Sequence, residues 1–443
     1  MAIFHATAVG SIELAHSRDL ARTDEFHSRS RNESSTRIHR LDLQGLRGVA
    51  ILSVLGFHFF PGWFPNGYVG VDQFFVLSGY LLARILDNDP TSILDFYYRR
   101  SKRIVPMYVL ATLLTLWSCF FLYPESILNL NVKSAMAAVT FISNFWPLER
   151  KYTGYFAELA VADDLFIHTW SLAVEVQFYL IVPVLSILCK KTSFRISATC
   201  LIVIGALSLA FHLLSDATTA FYNPLARLWE FLTGYLAYLM SSRTAIEPAL
   251  CEKPRNSAEC EQVVKIATTM VTGVIVAYGN NLLSSRCFVH FGDISYTLYL
   301  VHWPIFCWLK LSGNCNASDR MAGALFAWFL SVLLTRTYET WYRAADKYTI
   351  VVMIIILYAL TGVTLVQSHN VKAFVNEYNL SLDRQIAAED LYTNITLGIA
   401  AVNFYLTFLS FRKHGGVEFF KWGEIFALLP FTFAISFEFS SLL

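Results

Sequence analysis

Apolar runs of about the twenty residues needed to span a bilayer recur along nearly the whole of this chain. They fall near residues 44–61, 68–86, 104–123, 132–147, 169–189, 196–214, 221–240, 262–280, 293–311, 321–338, 349–367, 389–411 and 423–442. In hydrocarbon each backbone N–H and C=O must be satisfied inside its own segment, so consecutive runs of this length become helices. The expectation is an all-α, polytopic membrane protein with about 11–13 transmembrane helices. Composition agrees: 55% of residues are hydrophobic and 15% charged, against about 25% charge in a soluble domain. The fourth run is short and leaves a re-entrant segment open. The twelfth is diluted by Glu389, Asp390, Asn394 and Asn403.

Residues 1–36 are polar and mixed in charge and read as a disordered cytosolic tail, with the first membrane helix as targeting signal. A cytosolic N-terminus puts the basic run RRSKR (99–103) inside, together with Arg336, Arg343, Lys347, Arg412 and Lys413. That satisfies the positive-inside rule. Lys190 and Lys191 then fall outside, against the rule. The sequons at Asn316 and Asn379 fall outside, where glycosylation is open to them; the one at Asn32 falls inside, and that at Asn394 lies within the twelfth run. The polar loop carrying Cys251 and Cys260 also falls outside, which permits a disulfide. Cys119, Cys189, Cys200 and Cys307 lie in or beside apolar runs as small core residues. No Cys/His spacing points to a metal. A net charge of +1 without a basic stripe gives no argument for nucleic acid.

Ionisable residues inside such runs cost about 2.5–3.5 kcal/mol each on insertion scales and ask for a reason. Arg47, His58 and Asp72 lie close together in the first two runs. Arg47 and His58 share nearly one helix face and stand about 16 Å apart along the axis. They cannot pair with each other, but they can hold two ends of one long ligand. The plainer alternative is a snorkelling arginine and an interior histidine. Arg100 and Arg103 share a face at a membrane edge, suited either to phosphate or to anionic lipid. His168, Glu175 and Tyr179 line another face. Glu175 stands in an apolar run and needs a partner there, acceptor hydroxyl or arginine. Tyr299 and His302, three apart, can line a polar cavity, whereas Tyr296 and Trp303 read as packing or interfacial anchors. Asp72 either orients His58, as a carboxylate does in a triad, or pairs locally with Arg47 or Arg84.

These pieces carry a resemblance. Arg47 with His58, GYVGVDQFFVLSGYLL (67–82), Arg100-Ser-Lys-Arg103, HTWSLAVEVQFYLIVP (168–183), RLWEFLTGYLA (227–237) and ISYTLYLVHWPI (294–305) stand in order over roughly residues 37–347. Together they resemble acyltransferase family 3, the integral-membrane O-acyltransferases that include polysaccharide O-acetylases. The resemblance implies transfer of an acyl group, acetyl above all, from acyl-CoA as co-substrate to a hydroxyl of a carbohydrate, lipid or small molecule, with no bound cofactor. It implies His58 as general base with Asp72 and Glu175 as supporting carboxylates. Arg47, Arg100 and Arg103 would bind the donor, while His168, Tyr179, Tyr299 and His302 would line the acceptor side or the cavity. Two departures stand out. The family often has two acidic residues where this chain has Glu175-Val176, and the Gly-Asp-Ser motif of a fused hydrolase-like domain does not occur. Residues 348–443 lie beyond the motifs. The rival functions are a transporter or flippase that keeps the fold without transfer, and an inactive binding protein.

Overall fold

The computed structural model describes residues 40–88, 92–147, 162–241, 257–313 and 316–382. They divide into two units, one ending at Thr361 and one beginning at Gly362. Among the described residues there are helices and no strands. The first unit contains α1 (Leu41–Phe59), α2 (Gly70–Asn88), α3 (Ile93–Leu122), α4 (Leu128–Val139), α5 (Trp170–Lys191), α6 (Phe194–Leu214), α7 (Ala217–Tyr222), α8 (Pro224–Ser241), α9 (Ser257–Tyr278), α10 (Arg286–Leu311), α11 (Ala317–Leu334) and α12 (Thr340–Ala344). A π-helical turn, Thr335–Glu339, joins α11 to α12, and α13 (Lys347–Val366) follows. The second unit, described from 362 to 382, contains α14 (Ser368–Leu382).

Six helices are long and apolar enough to cross a membrane by length and composition. These are Gly67–Asp87, Ile93–Leu122, Ile167–Lys191, Phe194–Leu214, Ala317–Ala344 and Lys347–Val366. The helices α1, α8 and α10 have the length but carry Arg47 and His58, Arg227 and Glu230, and Asp293 and His302, which lower their hydropathy. The residues that build the interior are those that blur the membrane signal. Outward, α6 exposes Ile202, Val203 and Leu207 and α11 exposes Leu325, Phe326 and Phe329, faces that suit lipid rather than water.

The sequence expectation goes wrong over direction. The run at 132–147 forms only α4, whose 12 residues reach about 18 Å, too short for a hydrocarbon core of about 30 Å. The chain stays at one end of the bundle: Tyr123 bonds the carbonyl of Pro304, Asn131 bonds that of Asp163, and the Trp303 indole bonds that of Asp164. So α5 starts beside Tyr299 and ends where Lys190 Nζ bonds the Leu86 carbonyl. This places Lys190 at the same end as Arg40, with Arg103 and Arg343, and removes the exception to the positive-inside pattern. A second correction concerns α8 and α9. Lys265 lies over the Phe221 ring near the start of α8, and Gly273 packs against Thr233, so the two helices run parallel rather than as an antiparallel pair. The C-terminal end of α8 and the N-terminal end of α9 therefore lie at opposite ends of the bundle, and the loop expected between them lies outside the described residues. Cys251, like the runs at 389–411 and 423–442, the tail before residue 40 and the sequon at Asn394, lies outside the described residues.

Two close helix contacts fix the interior. On α1 and α10 a Cβ at Gly48 would strike the Phe288 carbonyl and one at Gly292 would strike that of Gln44. On α2 and α8 the same reciprocity joins Gly79 to the Phe231 carbonyl and Gly234 to that of Val76. Such backbone approach is how helices associate without a hydrophobic driving force between them. Gly79→Leu is expected to destabilise the protein by about 1–3 kcal/mol or more, because backbone cannot yield as a side chain can. Thermal unfolding in detergent checks this, with Gly205→Leu, next to open space apart from Leu232, as the tolerated comparison.

Candidate active site

Five helices bring their polar residues to one cleft. It has a cavity volume of about 90 Å³ and is lined by Arg47 from α1, Phe74, Ser78 and Leu82 from α2, Arg100, Arg103 and Ile104 from α3, Ser171, Glu175 and Tyr179 from α5, and Tyr296 and Tyr299 from α10. Six residues singled out in the sequence therefore share one wall: Arg47, Arg100, Arg103, Glu175, Tyr179 and Tyr299. None of the three arginines makes an ion pair among the described residues, and the Arg47 Nε has no hydrogen-bond partner. The Arg100 guanidinium lies 5.9 Å from the Phe96 ring centre and 6.0 Å from that of Tyr179. Glu175 is held by neutral donors: its Oε1 accepts from Ser78 Oγ and from Tyr179 OH, both at 2.5 Å. Three guanidinium groups against one carboxylate leave the cleft positive, a setting for an anion such as phosphate.

The histidines gather beyond Tyr299. His58, in the last turn of α1, is 6% exposed, and its Nδ1 lies 3.0 Å from Nε2 of His302. His302 is fully buried, and its Nδ1 lies 3.0 Å from the Leu298 carbonyl. Trp303 packs against the His58 ring at 5.0 Å. His168 sits 5.9 Å from His302, ring to ring, and neither of its ring nitrogens has a hydrogen-bond partner. Tyr299 belongs to both groups. It lines the cleft, its ring stands 5.7 Å from those of His168 and His302, and its hydroxyl meets Ser171 Oγ at 2.7 Å and the His168 carbonyl. The cations thus lie toward the Arg40 end and the buried imidazoles toward the other, with Tyr299 between them; the imidazoles do not line the cleft.

Asp72 does not join them. Its carboxylate is bonded to Arg227, neither to His58 nor to Arg47 or Arg84. Asp72 opens α2 on the far side of Phe75, whose ring lies between the cleft wall and the Arg227 guanidinium, 5.4 Å away. Arg227 also meets Glu230 at 3.3 Å, and all three residues are at most 1% exposed. The group touching His58 Nδ1 is therefore His302, not Asp72. Glu175, whose partners are Ser78 and Tyr179, serves the cation end of the cleft rather than the imidazoles. Sequence reasoning missed Ser78 and Ser171 and read Tyr296 as an anchor, whereas it lines the cleft with its hydroxyl on the Ile104 carbonyl at 2.8 Å. Ser171, four residues before Glu175, was legible from helical spacing; Ser78 carried no comparable signal.

Fold and site together define a polytopic helical membrane protein with a cation-lined cleft. Residues 40–249 match the sequence model of acyltransferase family 3, described as an acyltransferase domain. Among its relatives is BcsY of Komagataeibacter xylinus, named as a membrane-bound transacylase, 29% identical over 62% of this chain and 74% of the relative. The O-acetyltransferase OatA of Staphylococcus aureus is 26% identical over 59% of this chain and 50% of its own length. The peptidoglycan O-acetyltransferase OatA of Listeria monocytogenes is 28% identical over 59% and 49%. The chain thus spans about half the length of these two O-acetyltransferases. No solved structure matches it.

Proposed function

We propose that this chain is a membrane O-acyltransferase that takes an acyl group, acetyl in the first instance, from acyl-CoA and transfers it to a hydroxyl of a carbohydrate, lipid or small molecule. The observation that carries the donor is the cleft with Arg47, Arg100 and Arg103, three cations without an ion-pair partner among the described residues. The CoA phosphates lie against Arg100 and Arg103, and the pantetheine arm runs along the apolar wall of Phe74, Leu77 and Leu82 toward Tyr299. The acceptor hydroxyl meets His58, which takes its proton. The oxygen bonds the thioester carbonyl carbon, the C–S bond breaks, and the thiolate recovers the proton from His58. Base catalysis of this kind contributes about 10²–10⁴-fold. The gathering of Lys102, Arg103, Lys190 and Arg343 at the Arg40 end supports a cytosolic N-terminus and cytosolic entry of the donor.

The test uses the protein in nanodiscs with radiolabelled acetyl-CoA, following CoA release and label transfer to membrane extracts. Label in an extractable product supports the reading and identifies the acceptor class. Arg103→Ala is expected to weaken acetyl-CoA binding about tenfold or more, one lost charge-assisted contact being worth about 1.5–3 kcal/mol. Failure of a range of acyl-CoA species to bind would overturn the donor assignment and leave a transport function as the stronger reading.

A further inference from the structure

We infer that His302 is a positioning residue that fixes the tautomer of His58, so that the base in the reaction is Nε2 of His58. The inference rests on the proposed role of His58. It starts from a carbonyl that can only accept. His302 Nδ1 lies 3.0 Å from the Leu298 oxygen, so Nδ1 carries the hydrogen. His302 is fully buried and has no carboxylate partner among the described residues, so its ring is neutral: an imidazolium there would be desolvated without a counter-charge. A neutral ring with hydrogen on Nδ1 has its lone pair on Nε2. That atom faces His58 Nδ1 at 3.0 Å. His58 Nδ1 must therefore donate, and the remaining lone pair of a neutral His58 sits on Nε2.

Ring geometry agrees. The ring centroids are 5.1 Å apart with planes 17° from parallel, and the Nδ1 edge of His58 meets Nε2 of His302 at 3.0 Å. Trp303 at 5.0 Å and Phe57 at 5.4 Å pack against the His58 ring and hold this edge toward His302. When His58 Nε2 accepts the hydroxyl proton, the positive ring donates Nδ1–H to His302 Nε2, and that hydrogen bond becomes charge-assisted. The carboxylate that orients the imidazole in a Ser-His-Asp triad is replaced by a neutral imidazole, itself oriented by a helix carbonyl. This suits a low-dielectric site, since no buried anion needs a counter-charge before the reaction begins.

The experiment reads the tautomer directly, by solid-state NMR of the full chain in nanodiscs with ¹⁵N-labelled histidine, the His58 signal being assigned by its loss in His58→Ala. The wild type is expected to show His58 protonated on Nδ1 and bare on Nε2. His302→Gln, which returns an acceptor oxygen near the position of Nε2, is expected to keep that state. His302→Phe, which keeps ring volume and removes the acceptor, is expected to move His58 toward the other tautomer and to lower kcat with acetyl-CoA at least 100-fold at unchanged donor KM. A wild-type His58 protonated on Nε2, or the same tautomer in His302→Phe as in wild type, overturns the inference. If the Phe variant does not fold, the wild-type spectrum alone still decides. The spectrum needs no turnover, so the expected tautomer without acyl transfer would count against the proposed function and not against the role of His302.

Discussion

His58→Ala is expected to abolish measurable acyl transfer while leaving acetyl-CoA binding intact. The two halves of that result come from the separation of the site into two ends. Arg47 and His58 stand on one helix about 16 Å apart. The arginines line the cleft, while His58 lies past Tyr299, buried against His302 and Trp303. Removing the imidazole leaves every cation in place, so donor affinity measured by equilibrium binding should change less than twofold. The rate should fall by about 10²–10⁴, the usual contribution of a positioned base. A deletion confined to the chemical step would appear in kcat with KM unchanged. Equal loss of binding and rate would mean that the alanine cavity collapses the Trp303 and Phe306 packing, and the structure-preserving variant His58→Gln separates that from loss of the base. Transfer at the wild-type rate in both variants would remove His58 from the mechanism.

How far the sequence reached depends on what kind of fact was asked of it. Helical periodicity is local, and it put Arg100 with Arg103, and His168 with Glu175 and Tyr179, on shared faces. Arg100, Arg103, Glu175 and Tyr179 all line the cleft. Apolar length is also local and located most helices within a few residues. Direction is not. Whether a run crosses depends on a few residues of length, and α4 falls short, which reverses α5 and moves Lys190 to the Arg40 end. Nothing in the apolar pattern separates parallel from antiparallel, so the orientation of α9 beside α8 was not legible. Partners distant in sequence were hidden for the same reason. Asp72 was expected to find a neighbour such as Arg84 or His58, yet its cation is Arg227, 155 positions away. His302 lies 244 positions from His58, and its contact with Nδ1 comes from the close α1–α10 approach at Gly48 and Gly292.

Arg227→Met is expected to be the most destabilising single substitution outside the cleft. Arg227 is the shared cation of two carboxylates: Asp72 on α2 and Glu230, one turn along α8, all with at most 1% exposure. Three aromatic rings, Phe75, Trp170 and Phe221, surround the guanidinium at 5.4–5.7 Å and shut out water. The cluster is incompletely satisfied even when intact, since Asp72 Oδ2, Arg227 Nε and Nη1 and both Glu230 oxygens have no hydrogen-bond partner. Without Arg227, two carboxylates would face each other in a low-dielectric interior. Breaking a buried pair costs about 3–5 kcal/mol because the remaining charge is uncompensated, a large fraction of a typical stability of 5–15 kcal/mol. The measurement is thermal unfolding and folded yield in detergent for Arg227→Met, for Asp72→Asn, and for the triple variant Arg227→Met, Asp72→Leu, Glu230→Met. Asp72→Asn, which removes a charge but keeps an acceptor, should cost less than Arg227→Met. The triple variant should recover much of the stability, because an apolar cluster of similar volume carries no desolvated charge. A stable, active triple variant would reduce the cluster to a clamp between α2 and α8. A stable but inactive one would show that the charges serve the reaction through Phe75, the ring that separates Arg227 from the cleft. Full stability of Arg227→Met alone would contradict the burial of all three groups.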